Sequence, residues 1–275
     1  MTPKDFNFAL KLTDIEHWNY TRKDFERMLY CEPEGCFVAT KGRKGIGIIT
    51  TISYGNLGWI GNSLVLPEER GAGVGSKLVE YATKYLLQKN VDAIGLYSYL
   101  EDVPFYEKLG FMAESDVISF YGLGEKTAYK NIKEMDSGDL NTITQLDQKF
   151  FGADRERLLR KLYADHPQLC FAYFLNGKIV GFIMGSKSKD GFEIGPWVCN
   201  PKFCIGAENL LKSLLNFLCG QKIEFGVNRD NEKALKLARE FGFKEQLRVK
   251  RMFWAGRKHM ENRRGIFGIG SLEMG

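Results

Sequence analysis

The sequence predicts an α/β protein of two similar halves, each a sheet flanked by helices. Three observations carry this. Residues 59–66 form an apolar segment that ends at Pro67, a glycine-rich loop follows, and an amphipathic helix comes next: a strand, a loop and a helix in succession. Segments of strand-like and helix-like apolar spacing follow one another along the chain. After the glycines at 122 and 124 the same order returns, which reads as an internal duplication.

Residues 6–12 alternate, with Phe6, Phe8, Leu10 and Leu12 on one face, and read as a first strand. Residues 13–30 read as one or two helices, with Thr21 as an N-cap ahead of Phe25, Met28 and Leu29. Residues 36–40 and 45–54 read as a hairpin turned at Lys41-Gly42-Arg43. Residues 58–66 are the next strand. The helix over 76–89 carries Leu78, Val79, Ala82, Tyr85 and Leu86 on its apolar face. A short strand at 94–98, a short helix at 103–109 and a strand at 111–121 close this half. A boundary falls near Gly122-Leu123-Gly124-Glu125, which gives domains of residues 1–124 and 125–275.

In the second half, residues 139–150 and 154–164 read as helices. Residues 169–175 and 178–186 are strands joined at Asn176-Gly177, the signature of a type I′ hairpin. A strand at 192–199 leads to a helix over 207–219, with Leu210, Leu211, Leu214, Leu215 and Leu218 on one face. A strand at 222–227, a helix at 232–241 and a strand at 243–254 follow.

The chain has 275 residues, 44% hydrophobic and 27% charged, as soluble globular proteins have. The net charge of +5 is mild and does not by itself call for nucleic acid. The basic run Arg257-Lys258-His259 with Arg263-Arg264 reads as a solvated stretch. The cysteines, at 31, 36, 170, 199, 204 and 219, form no Cys-x-x-Cys, and histidines number 3, so no metal site is expected. Residues 1–5 hold no signal-type apolar region, and no run approaches a membrane span. The expected setting is the cytoplasm, or the nucleus, with free thiols and no membrane partner.

The chemistry points to the loop after Pro67. Its glycines let backbone N–H groups converge at a helix N-terminus, a geometry that binds phosphate. A nucleotide P-loop would need a Gly-Lys-Ser/Thr ending that is absent, and the dinucleotide pattern would need a third glycine where Ser76 stands. What fits is Arg-x-x-Gly-x-Gly, as Arg70, Gly73 and Gly75. This resembles the pyrophosphate loop of the GNAT superfamily of acetyl-CoA-dependent N-acyltransferases; a plain glycine-rich turn is the alternative. A second segment, Pro104-Phe105-Tyr106-Glu107-Lys108-Leu109-Gly110-Phe111, is similar to the Tyr-Glu-Lys-x-Gly-Phe end of the same superfamily. The resemblance covers residues 5–121 and implies two tandem GNAT-like domains, each with a mixed, mostly antiparallel sheet. It implies acetyl-CoA as cosubstrate, held by backbone at Leu64 and Val65 and by the loop Arg70, Gly71, Ala72, Gly73, Val74, Gly75 and Ser76. It implies Tyr106 as the proton donor to the leaving thiolate, since a phenol of pKa ~10 suits that task; packing is the plain reading of the same ring. The acceptor it implies is a small or peptide amine, with its identity, the acyl length and the oligomeric state left open.

The second half departs from the pattern where chemistry would lie. Cys204 replaces Arg70, Ala207 and Asn209 replace the key glycines, and Ala238 stands at the tyrosine position. Asn231 and Ala234 keep a family Asn-x-x-Ala that the first half has lost to Tyr99 and Asp102. Asp147, Phe151-Gly152-Ala153-Asp154-Arg155 and the segment 270–275 resemble the C-terminal half of two-domain GNAT enzymes. There Asp154 and Arg155 are either a helix cap with a surface charge or part of an acceptor site. The second half thus reads as an acceptor-binding or structural domain. Candidate general bases are Glu101, Asp102, Glu114, Asp116 and Glu193, each equally readable as a solvated carboxylate, and water is a further possibility. The rival to an enzyme is an acyl-CoA sensor that binds without turnover.

Overall fold

The computed structural model describes residues 1–275, which fall into two compact units. Unit 1 comprises Met1–Glu114, Arg251–His259 and Leu272–Gly275, and unit 2 comprises Ser115–Lys250 and Met260–Ser271. The division is therefore not a single cut near residue 124. No helix is long and apolar enough to cross a membrane.

Unit 1 opens with two helices, α1 (Phe6–Ile15) and α2 (Arg22–Cys31). The strand expected over residues 6–12 is thus a helix. Its buried residues are Phe6, Ala9, Leu12 and Thr13, a spacing that puts them on one helical face. Phe8 and Leu10, which created the apparent alternation, are only partly buried. The overlooked signal is Thr2-Pro3-x-Asp5. The Asp5 carboxylate accepts from Thr2 N at 2.7 Å and from its hydroxyl at 3.0 Å, and Pro3 sits in the first turn. Thr21 and Asp24 repeat the device at the start of α2, at 2.6 and 2.8 Å.

The sheet of unit 1 runs β1 (Cys36–Lys41), β2 (Lys44–Ser53), β3 (Leu57–Val65), β4 (Ala93–Tyr99). The first three are antiparallel and β4 is parallel to β3. Helix α3 (Val74–Gln88) joins β3 to β4, and α4 (Val103–Lys108) and β5 (Phe111–Leu123) follow. Successive strand residues point to opposite faces. Ile49, Ile60 and Val65 meet Leu78, Val79, Ala82 and Leu86 of α3, with Tyr106 in the same cluster. Ile48, Leu64 and Leu66 pack on the other face with Phe6, Leu12 and Phe25 of α1 and α2.

Unit 2 is built from β6 (Ile132–Glu134), α5 (Leu140–Phe151), α6 (Glu156–Asp165), β7 (Cys170–Leu175), β8 (Lys178–Lys187), β9 (Phe192–Cys199), α7 (Cys204–Phe217), β10 (Lys222–Asn228), α8 (Glu232–Glu240), β11 (Lys244–Trp254) and β12 (Ile266–Gly268). Strand order is β5-β10-β9-β8-β7-β6, with β12 on β9. The end of β11 belongs to unit 1, where Met252 joins the core and Phe253 meets the Trp59 ring at 6.3 Å. Asn176 and Gly177 have φ of 50° and 75°, as a type I′ turn requires. The short strands β6 and β12 have no apolar run long enough to announce them.

Asp147 and Arg155 form a buried bidentate pair at 2.9 and 2.7 Å, with the guanidinium 3.7 Å from the Phe151 ring centroid. Asp154 Oδ1 accepts from Glu156 N at 2.8 Å. Arg155 thus ties the start of α6 to α5, while Asp154 bonds within the first turn of α6. Asn231 does comparable work before α8. Its Oδ1 accepts from Ala234 N at 3.1 Å, and its Nδ2 donates to Arg263 O and Ile266 O at 3.0 and 2.8 Å. Asn231→Ala removes a helix cap and leaves buried carbonyls without donors, so urea unfolding is expected to show a loss of about 2–4 kcal/mol.

Candidate functional site

In unit 1, β3 and β4 pair from Leu57↔Ala93 to Ile60↔Leu96 and no further, although the strands run on to Val65 and Tyr99. The strands therefore part after Ile60. Just there β3 carries a bulge: Thr50 faces Gly61 and Ile48 faces Leu64, so Asn62 and Ser63 oppose a single residue of β2. Asn62 takes a φ of 49°, in the left-handed region that asparagine tolerates. A Gly-Asn pair inside an apolar strand pattern was the readable sign of this bulge.

Past the bulge, β3 ends and the chain turns through Pro67 into the glycine loop. Gly71 and Gly73 both have φ of 79°, and Gly73 is the N-cap of the 15-residue α3. Nothing lies within 4 Å of a Cβ added at either, so glycine is required there by backbone conformation and not by crowding. The first helical bond is Lys77 N to Gly73 O at 3.1 Å. The N–H groups of residues 71–76 donate to no group of the chain. A row of unpaired donors at the positive end of a helix is an anion site.

Arg70 holds this loop in place. Its Nε donates to Val65 O at 3.0 Å, and its Nη2 pairs with Glu16. Leu64 and Val65 lie on β3 beyond the last β4 pairing, and Val65 O is the atom that Arg70 takes up. The backbone of Ala72, Val74, Gly75 and Ser76 lies in the loop and first turn; a Cβ at Gly75 would rest 3.5 Å from Phe105.

Tyr106 is buried in the core beneath α3 and β3, with its ring 5.0 Å from Phe105 and 6.0 Å from Phe111. Burial pushes its phenol up to about 12, the neighbouring Ser63 side chain pulls the other way, and the Asp102 carboxylate adds to the rise. Ser63, which sequence reading missed, thus neighbours the tyrosine at the bulge where β3 and β4 part. The proton is firmly held.

Among the carboxylates, burial raises Asp116, but hydrogen bonds from Lys250 and Arg229 outweigh it and hold the group below the usual range, which makes it a poor base. Glu114 faces Arg251 at 3.8 Å. Asp102 is pushed up by desolvation and then by Glu101 and Glu16, with Arg70 opposing. Glu193 sits in the pair Glu224↔Glu193 of unit 2.

Unit 2 repeats the scaffold and closes it. β9 and β10 are parallel and pair only at Ile223↔Phe192 and Glu224↔Glu193. Beyond that point β12 pairs with β9, at Ile266↔Val198 and Gly268↔Trp197, and Ile269 N donates to Gly226 O at 3.0 Å. The gap between the two strands is filled by the chain's own backbone. Around the start of α7, three backbone donors bond internally: Lys202 N to Asn200 Oδ1 at 3.1 Å, and Phe203 N and Gly206 N to Asn200 O and Phe203 O at 2.8 Å each. Asn209, at a lost glycine position, accepts from Lys130 N at 2.9 Å.

Family models match both parts of the chain. That of the acetyltransferase (GNAT) family covers residues 7–111, and that of an acetyltransferase (GNAT) domain covers residues 143–268. Among solved structures, the chain is similar to a Pyrococcus horikoshii protein proposed to be an acetyltransferase, at 23% identity over 100% of this chain and 94% of that one, with a TM-score of 0.85. A GCN5-related N-acetyltransferase from Sphaerobacter thermophilus matches at 15% identity, covering 96% of each chain, with a TM-score of 0.69. A tandem GNAT protein from the clavulanic acid biosynthesis pathway matches at 14% identity over 87% of this chain and 89% of that one, with a TM-score of 0.58. At these identities the likeness is one of fold. No curated protein matches the sequence significantly.

Gly73→Val forces a β-branched residue into a left-handed position. The N–H groups then no longer converge. Calorimetric titration with CoA is expected to show binding lost, while circular dichroism shows the fold kept.

Proposed function

We propose that this chain, which belongs to the GNAT acetyltransferase family, moves an acetyl group from acetyl-CoA directly to a primary amine, with the chemistry in unit 1. The observation that carries this reading is the row of unpaired N–H groups at residues 71–76 beside the parting of β3 and β4, with the Tyr106 phenol next to Ser63 at the same place. The loop suits a pyrophosphate, and the parted strands suit an extended chain that takes up backbone hydrogen bonds. Bound acetyl-CoA supplies the activated thioester. The chain's part is to hold it, to exclude water and to keep a proton ready at Tyr106 Oη. Unit 2, with its gap filled by β12, is assigned a structural or acceptor-shaping part. The acceptor is a small or peptide amine, and the cytoplasm is the proposed setting.

Tyr106→Phe keeps the ring and its packing and removes only the proton donor. Turnover in a thiol-release assay is expected to fall about 10²–10⁴-fold, with CoA affinity little changed. The wild-type rate should rise with pH as the amine loses its proton. Because the phenol's pKa is raised, Tyr106 stays protonated beyond the ordinary tyrosine value of pH ~10, so loss of its proton adds no descending limb below that. Full turnover in the Phe variant would remove Tyr106 from the reaction. CoA binding without turnover of any amine would favour the sensor reading.

CoA should bind once per chain, at unit 1, since β12 fills the gap between β9 and β10 in unit 2. Calorimetry is expected to give a stoichiometry of one that Gly73→Val reduces to zero; a second, unaffected site would contradict the reading of unit 2.

A further inference from the structure

The two contacts of Arg70 differ in kind. Its Nε donates to Val65 O, five residues away, at 3.0 Å. That bond is local and keeps the guanidinium beside its own loop. Its Nη2 reaches a carboxylate 54 residues earlier in the chain, that of Glu16. The Nη nitrogens carry the donors that an incoming anion would use, and Glu16 takes up one of them while Arg70 is still half exposed.

Glu16 stands where a carboxylate is locally unfavourable. It is the C-cap of α1, at the negative end of the helix dipole, where cations are favoured. The turn that carries it is fixed. His17 N donates to Asp14 O at 3.2 Å and Trp18 N to Thr13 O at 2.9 Å. His17 has a φ of 58°. Two such bonds around a left-handed residue make a Schellman motif. Trp18 then packs on Tyr99, with ring centroids 6.3 Å apart. The turn after α1 thus touches both sides of the parting: the loop after β3 through Glu16, and the end of β4 through Trp18. Helix α1 is not stabilised by the Glu16 charge; the arginine of the glycine loop is its partner.

We propose that Glu16 is an autoinhibitory clasp: in the free chain its carboxylate occupies Arg70 Nη2 in place of the acyl donor's pyrophosphate, which displaces it on binding. This rests on the acyl-CoA reading of the loop given above. Magnitudes favour the displacement. A partly exposed ion pair shifts an equilibrium by at most about 5-fold. A pyrophosphate carries more charge than a carboxylate and also meets the unpaired N–H groups of residues 71–76. The clasp therefore holds Arg70 while the loop is empty and sets donor affinity below what the loop alone would give. No covalent bond changes; one ion pair is exchanged for another.

The test titrates the full chain in the calorimeter with CoA and, separately, with inorganic pyrophosphate. Glu16→Gln keeps the side-chain shape and removes the charge. It is expected to tighten both ligands about 3–10-fold, because the closed fraction of the chain becomes competent to bind. Glu16→Asp keeps the charge on a side chain too short to stay on Arg70, and is expected to tighten CoA by at least about 2-fold. Circular dichroism and thermal melting should match wild type in both variants. An unchanged or weakened CoA affinity in Glu16→Gln would overturn the clasp. So would a gain in Glu16→Gln that Glu16→Asp lacks altogether, since Glu16 would then act only as a repelling charge. Loss of the fold in Glu16→Gln would make the pair a structural one and count against the clasp equally. Each of these results leaves the acyltransferase reading in place, whereas a wild-type chain and variants that all fail to bind CoA would bring down both.

Discussion

The parallel pairing of β3 with β4 stops at Ile60 and Leu96, and the rest of unit 1 is arranged around that stop. Parallel strands must be joined by a crossover, here the loop and α3, so the end of β3 delivers the chain directly to a helix N-terminus. The N–H groups at residues 71–76 then have no partner within the chain. The stop itself follows from the bulge. One extra residue on β3, with Asn62 left-handed, bends the strand away from its neighbour. Tyr106, Ser63 and the segment Leu272–Gly275 all take their positions from the same few residues.

Unit 2 shows the same constraint met in another way. Its parallel strands also part, after Glu224 and Glu193, and the backbone groups so exposed would be costly if buried without partners. There β12 supplies the partners. Gly195 makes this possible: its φ is 146°, and a Cβ would fall 1.8 Å from Ile269 O, so only glycine lets the inserted segment come so close. One scaffold thus leaves the gap between its parting strands open in unit 1 and fills it with β12 in unit 2.

Most helices and strands were legible because their apolar spacing is long and regular. The failure at residues 6–12 is instructive. Phe6, Phe8, Leu10 and Leu12 satisfy a two-residue period and, with Ala9 and Thr13 included, a helical one. A short apolar run cannot arbitrate between the two, and the Thr2 and Asp5 cap decided it. The strands β6 and β12 carried no such pattern, since what places them is a partner strand distant in sequence.

By itself the sequence determined the local parts of this protein: the glycines whose left-handed φ the loop needs, the caps at Thr2 and Thr21, the helix faces, the Asn176-Gly177 turn, and the Arg70 and Tyr106 motifs that mark the family. These depend on residues a few positions apart, whose conformational preferences act on the chain directly. Tertiary structure alone decided the rest. It put Ser63 beside Tyr106, set Glu273 against Gly61 across more than 200 residues of chain, left Asn62 Oδ1 without a donor, and sent Ile266 into the gap of β9. Those relations arise when the backbone donors and acceptors of a finished sheet are satisfied or left over, and no local spacing records which will be which.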